Sequence, residues 1–261
     1  MKPVKFLSIS LLVASFLLVV GCSKDTTSST NQGQLVLHLI DSPANYDAVY
    51  LVVSEVAVHS NTDGWVVIND SLRTFDLLTL VNGASAILGK ATLNPGHYTQ
   101  IRLMLVDSCK IVVDGVTYPL TVPSEMQSGY KLTNAFDIQS DYTYELLLDF
   151  AAAQSINELG NGLYKLNPVI RVHPVALTGA ISGIVMPLST KPIITAILGI
   201  DTATTFTNEI TGAFKLMALP AGAYSVQIAS SDTLFRDTTI TGVSVSIGQT
   251  TPLGTITLNA K

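Results

Sequence analysis

Charge is scarce in this chain. Only 13% of its residues are Asp, Glu, Lys or Arg, and the 14 Lys and Arg are nowhere gathered into a block. Binding to a phosphate backbone rests on clustered cations that displace counterions, so nucleic acid is excluded as a partner. Cysteine is scarcer still, with only Cys22 and Cys109, and no Cys-x-x-Cys pair exists. Also missing are His-Glu-x-x-His, Gly-x-Ser-x-Gly, a glycine-rich phosphate loop and an EF-hand loop. The four histidines, His38, His59, His97 and His173, are far apart along the chain. No catalytic, cofactor-binding or metal-ligating residue is assigned on these grounds, and the chain is read as a non-enzyme that takes no cofactor. Long hydrophobic runs are absent too. The longest uncharged apolar stretch, residues 6–20, falls short of the roughly 20 residues a membrane-spanning helix needs.

What is abundant is Val, Ile, Leu and Thr, within a chain that is 48% hydrophobic. That is the composition of a β protein with extensive buried area, not of a disordered one. The fold class expected is all-β: two Greek-key β-sandwich domains in tandem, the first with one or two short helical crossings.

The amino terminus has a different character. Lys2 and Lys5 precede the apolar run, and Leu18-Val19-Val20-Gly21-Cys22 ends it. This arrangement resembles a bacterial lipoprotein signal peptide with its lipobox, which implies cleavage after residue 21 and lipidation of Cys22. Loss of Lys2 and Lys5 raises the carboxylate excess from five to seven. With Cys22 carrying lipid, Cys109 has no disulfide partner and is read as a small buried apolar residue. Residues 22–33 are polar and form a tether. The first domain then covers 34–174, a short linker 175–179, and the second domain 180–261. Ser23 after the cysteine resembles an outer-membrane sorting signal, so the folded part is expected in the bacterial envelope, facing periplasm or exterior.

Strands are read at 35–40, 46–59, 65–68, 98–106, 142–150, 163–166 and 169–173. Asp114-Gly115 between two apolar runs, 110–113 and 116–120, predicts a hairpin with a type I′ turn. Residues 77–88 carry helical spacing and are read as one or two helical turns, and 151–158 as a short helical crossing. The second domain is read as short strands at 181–185, 193–198, 214–216, 224–229, 235–240, 243–245 and 255–258.

An internal echo links the halves. Leu93, Gly96 and Tyr98 stand at the same offsets as Leu219, Gly222 and Tyr224. Leu-x-x-Gly-x-Tyr is the pattern of a tyrosine corner, in which the hydroxyl bonds back to upstream backbone, so Tyr98 and Tyr224 are assigned structural roles.

Two family resemblances rest on particular runs. Residues 34–174 resemble an uncharacterised domain family of bacterial surface lipoproteins, through Leu39-Ile40-Asp41-Ser42-Pro43, Gly64-Trp65, the run from Asp76 to Gly83, the run from Gly96 to Leu103, and Leu148-Asp149-Phe150. Residues 180–258 resemble carboxypeptidase regulatory-like domains, through Ile181-Ser182-Gly183, Thr211-Gly212-Ala213-Phe214 and Leu219-Pro220-Ala221-Gly222-Ala223-Tyr224. The first resemblance implies a lipid-anchored β-sandwich with no assigned activity. The second implies a transthyretin-like seven-strand sandwich that serves as a spacer or accessory module.

A few residues keep a chemical alternative. Ser124, Ser128 and Lys131 are placed in a possible functional loop, where a Ser/Lys hydrolase would be the alternative to a structural closure. Asp41 and Asp47 flank one loop and Asp63 and Asp70 another, but without the ligand spacing of a known calcium loop. Trp65 is read as core, with stacking on a sugar ring as the alternative. Asp70-Ser71-Leu72, Asp201-Thr202-Ala203 and Asp232-Thr233-Leu234 resemble acceptors that some Gram-negative bacteria O-glycosylate. The reading that follows is a non-catalytic, lipid-anchored envelope protein, held to the membrane through Cys22, that binds a glycan or surface partner. The alternatives are a structural spacer and the Ser/Lys hydrolase.

Overall fold

A computed structural model describes residues 32–123 and 128–261. The signal peptide, Cys22, nearly all of the tether and Ser124 lie outside the described residues. The first thirteen strands are β1 (Gly33–Asp41), β2 (Ala48–Ser60), β3 (Gly64–Asn69), β4 (Arg73–Asp76), β5 (Ala86–Leu93), β6 (Gly96–Leu105), β7 (Lys110–Val113), β8 (Val116–Thr121), β9 (Tyr130–Ile138), β10 (Thr143–Phe150), β11 (Ile156–Gly160), β12 (Leu163–Leu166) and β13 (Ile170–Pro174). One sheet runs β13-β10-β1-β5, with β1 and β10 parallel. The larger sheet runs β11-β12-β8-β7-β2-β6-β9, and β3 and β4 also pair with β2. Alternation along these strands sends Leu37, Leu39, Val56, Val58, Ile101, Leu103, Leu148 and Phe150 into one core between the sheets.

The long strand β2 organises the larger sheet. On one edge it pairs with β7 and then β6, on the other with β4 and then β3. Cys109 sits where β6 gives way to β7, buried, and its sulfur accepts from the Val52 N–H at 3.3 Å. Asp114 and Gly115 both have positive φ, the geometry a type I′ hairpin requires, and the Gly115 N–H donates to Asp47 Oδ2 at 2.7 Å.

The remaining strands are β14 (Thr178–Met186), β15 (Ile193–Leu198), β16 (Asp201–Phe206), β17 (Ala213–Pro220), β18 (Gly222–Ala229), β19 (Thr238–Val245) and β20 (Thr250–Thr257). They form a three-stranded sheet, β17-β14-β20, and a four-stranded sheet, β16-β15-β18-β19. Ile181, Ile194, Phe214, Val226 and Ile228 fill a second, separate core. The chain is all-β, with its sheets packed as sandwiches.

Four sequence readings need correction. Of the one or two helical turns read at residues 77–88, a single short one forms: Leu77–Thr79 make a 3-10 turn, and Leu88 belongs to β5. Asp76 accepts from the Leu78 N–H and starts the turn, while positive φ at Asn82 and Gly83 reverses the chain before a second turn can form. The 151–158 crossing is helical only at Ala152–Ser155, after which Ile156 begins β11. Residues 235–240 and 243–245 are not two strands, since β19 runs unbroken through Gly242. Strands β4, β5, β9 and β16 are absent from the sequence reading.

The tyrosine hydroxyls have matching partners. Tyr98 donates to Asn94 O at 3.0 Å and Tyr224 to Pro220 O at 2.9 Å, each four residues upstream. Both rings are buried, and Tyr98 stacks on Phe136 at 5.4 Å. Tyr224→Phe deletes one such hydrogen bond and is expected to lower stability by about 1 kcal/mol. Equal denaturant midpoints for variant and parent would contradict that role.

Candidate functional site

Two places concentrate polar chemistry. The first is the open face of the larger sheet. Register sets Trp65 opposite His59, Arg102 opposite both Ala57 and Lys131, and Met104 opposite Glu55. Since Val56, Val58, Ile101, Leu103 and Leu132 point to the core, these residues face outward. The indole is half-buried, and its neighbours surround it. His59 meets it edge-on at 5.1 Å, the Arg102 guanidinium lies 4.4 Å from the ring centroid, and the Lys131 ammonium 5.9 Å. Arg102 also donates from Nη2 to Glu55 Oε1 at 2.8 Å, while its buried Nε has no hydrogen-bond partner. Gly129, with φ of +91°, makes room for this arrangement: a Cβ there would meet Arg102 Cγ at 2.5 Å.

Trp65 is therefore not core, contrary to the sequence reading. The inward positions of β3 go to Val66 and Ile68, and pairing with His59 commits Trp65 to the other face. Lys131 stands on β9 rather than in a loop, and its amine is aimed at Trp65. Ser128 is exposed in the turn before β9, and no hydrogen bond joins it to Lys131 among the described residues.

The second place is the junction between the two sandwiches, which fall in one compact unit. Ile40 and Leu147, on the outer side of the smaller sheet, pack against Ala218 and Met217 of β17. Asn82 clamps this contact. Its Oδ1 accepts from the Lys215 N–H at 2.6 Å, its Nδ2 donates to Ala213 O at 3.1 Å, and its own N–H donates to Thr205 Oγ1 at 3.1 Å. The amide thus pairs with the open edge of β17 as a neighbouring strand would. Arg171 adds a bond from Nη1 to Thr202 O at 2.7 Å.

Two carboxylates are buried beside this clamp. Asp41 Oδ1 accepts from the Ala152 N–H at 3.0 Å, and its buried Oδ2 has no partner. Burial pushes the Asp41 pKa up to about 8, with the charge of Asp149 adding to the rise. Asp149 accepts from Ser42 Oγ at 3.2 Å and is also raised by burial, against the lowering pull of Arg171 and His173. Asp41 and Asp149 border a cavity of about 30 Å³ with Asn82 and Thr205, Asp149 on the outer face shared with Ile40 and Leu147, and the Asp41 carboxyl on the other side of β1, toward Ala152. A neighbouring cavity of about 90 Å³ joins Asp149 to Arg171, His173 and Asp201. Burial lowers the His173 pKa, so the ring favours its neutral form.

The other histidines are separated in space as well as in sequence. His38 meets Glu145 at 3.1 Å, His97 meets Asp137 at 2.8 Å, and His59 meets Thr99 at 3.2 Å. Among the described residues no three His, Cys, Asp or Glu side chains converge as a metal cluster. Asp41 and Asp47 have different partners, Ala152 and Gly115, and Asp63 accepts from Asn94 Nδ2 at 3.2 Å. Burial raises the Cys109 thiol pKa, which suits a core residue and not a nucleophile.

Sequence reasoning missed Arg102, Asn82 and Asp149 as members of these sites. One signal for the junction was present in β10, where Leu147 stands between Glu145 and Asp149 on the face expected to be polar. An apolar residue there marks a covered outer face.

A family model described as Domain of unknown function (DUF4382) matches residues 32–168, just over half of the chain. No curated protein matches. Among solved structures, the chain is similar to one in a type II cohesin–X-dockerin complex from Acetivibrio cellulolyticus, at 23% identity over 31% of this chain and 58% of that one, with a TM-score of 0.26. It is similar to the Bacillus anthracis TIE protein at 12% identity over 88% of this chain and 34% of that one, TM-score 0.24. The minor pilin GBS52 of Streptococcus agalactiae matches at 12% identity over 88% and 96%, TM-score 0.24. The chain thus spans less than two thirds of the first two, and likenesses this distant assign neither activity nor partner.

Proposed function

This chain belongs to the DUF4382 family, a domain of unknown function, and from that premise we propose that it is a non-catalytic binding module of the bacterial cell envelope. In this reading Cys22 carries the lipid that anchors the chain to the outer membrane, and the folded part presents a glycan-binding face. The carrying observation is Trp65, turned outward on the larger sheet and ringed by His59, Arg102, Lys131 and Glu55. An indole with a guanidinium and an ammonium over its ring suits a sugar, which offers C–H groups to the exposed part of the indole and hydroxyls to the polar neighbours. The second sandwich, read as a carboxypeptidase regulatory-like module, holds the first in a fixed orientation through the Asn82 clamp. That clamp also favours a second reading, a rigid spacer within an envelope assembly.

The test is retention on polysaccharide and peptidoglycan resins. The purified protein is expected to bind, and Trp65→Ala to weaken binding at least about tenfold, as loss of an aromatic anchor does. Tyr224→Phe serves as a control with unaltered retention. Equal retention of Trp65→Ala and the parent would remove the Trp65 face from the account.

A further inference from the structure

The outward face of the larger sheet carries an unbalanced set of charges. The four strands that build it around Trp65, β2, β3, β6 and β9, hold two carboxylates, Glu55 and Asp137, in a chain where Asp and Glu outnumber Lys and Arg by 19 to 14. Both are engaged, Glu55 by Arg102 at 2.8 Å and Asp137 by His97 at 2.8 Å. Lys131 is exposed and makes no ion pair among the described residues. It stands directly opposite Arg102 on the neighbouring antiparallel strand, where like charges repel and destabilise a sheet. Both cations nonetheless converge on one indole, 4.4 and 5.9 Å from the Trp65 ring centroid. The floor beside them is apolar. Ala57 faces outward between Val67 and Arg102 yet is completely buried under its neighbours, and Val67 is exposed.

Resting on the glycan reading of this face, we propose that its ligand is an acidic polysaccharide whose sugar rings carry carboxylates. The apolar side of one ring lies against Val67 and the exposed part of the indole, and its carboxylate sits between Lys131 and Arg102. Glu55 fixes Arg102 through Nη2, which leaves Nη1 to donate to the ligand, and Lys131 brings a free ammonium. Hydrogen bonds from such cations to a carboxylate are roughly twice as strong as those between neutral groups. The ligand's negative charge also removes the repulsion between Lys131 and Arg102, which a neutral sugar leaves in place. Charge, more than sugar identity, therefore sets the preference of this face.

The experiment is a fluorescence titration of the purified protein with polygalacturonate, alginate and hyaluronate, each beside its methyl ester, in which the carboxylate is masked. Dextran serves as a neutral glycan without an acid form. In about 50 mM NaCl at least one acid is expected to bind about tenfold or more tightly than its ester, and the gap to narrow at about 500 mM, where salt screens the charges. Lys131→Gln should bring that acid down to the affinity of its ester and leave the ester unchanged, while Lys131→Arg keeps the preference. Equal affinities for acid and ester in all three pairs would overturn the acidic ligand and leave the glycan reading standing. A preference undiminished in Lys131→Gln would do the same. Silence from every acid, ester and dextran alike would remove the glycan reading together with the proposal.

Discussion

Asn82→Gly is expected to lower the unfolding free energy by about 2 kcal/mol. Glycine keeps the positive φ of this position, so the loss isolates the amide from backbone strain. Without the amide, the Lys215 N–H on β17 loses its partner, a loss that costs about 1–3 kcal/mol where water cannot replace it, while the Ala213 carbonyl loses one of its two donors and keeps the Asn208 N–H. Both groups are only partly buried, which holds the expected total within that range. Asn82→Asp should also destabilise, because it keeps the acceptor for Lys215 but sets a carboxylate oxygen against the Ala213 carbonyl. Urea denaturation checks the size of the effect, and proteolysis at residues 175–179 checks its place. Faster cleavage there in Asn82→Gly is the mark of a loosened junction. A variant as stable as the parent would show that Ile40, Leu147, Met217 and Ala218 hold the junction unaided.

Asp41→Asn is expected to be more stable than the parent at pH 8 and about equal to it at pH 4, measured in EDTA. The sign follows from proton binding. The folded state raises the Asp41 pKa from 3.8 to about 8, so the folded chain holds a proton that the unfolded chain has released across that window. Stability from this group is complete below pH 4 and is lost as pH rises through 8. The amide cannot ionise and escapes the loss. At least about 1.4 kcal/mol should separate variant from parent at pH 8, the equivalent of a single pKa unit. His173, held neutral by burial, works in the opposite direction and loses stability as pH falls through its ordinary range. The difference between variant and parent removes that common background. A constant difference from pH 4 to pH 8 would contradict the buried-acid account.

Much of the fold was legible because its signals are local. The Asp114-Gly115 hairpin, β1, β2 and the Tyr98 and Tyr224 repeats announce themselves through turn chemistry and period-two alternation. What was lost depends on neighbours far away in sequence. Residues 77–88 carry helical spacing, yet Asn82 is drawn out to β17, more than 120 residues later, and the chain opens into an extended strand. Trp65 is ambiguous on its own because either face of a hairpin strand takes an aromatic; only pairing with His59 and crossing to Arg102 decides it. Asp149 looks like a surface residue until Ala203, Met217 and Ala218 of the second sandwich close around it, and Asp41 looks like the start of a turn although its carboxyl is buried against Ala152.

The single tryptophan makes the central claim directly measurable, since all indole emission reports on the proposed binding face. The measurement is a titration of the protein with neutral and acidic polysaccharides and peptidoglycan fragments, followed by Trp65 fluorescence. The account predicts a saturable change in emission with at least one of these glycans, lost in Lys131→Ala or weakened by it. Glycan retention on resin with Trp65 emission unchanged at saturation would contradict it, because the sugar would then be bound somewhere other than the open face of the larger sheet.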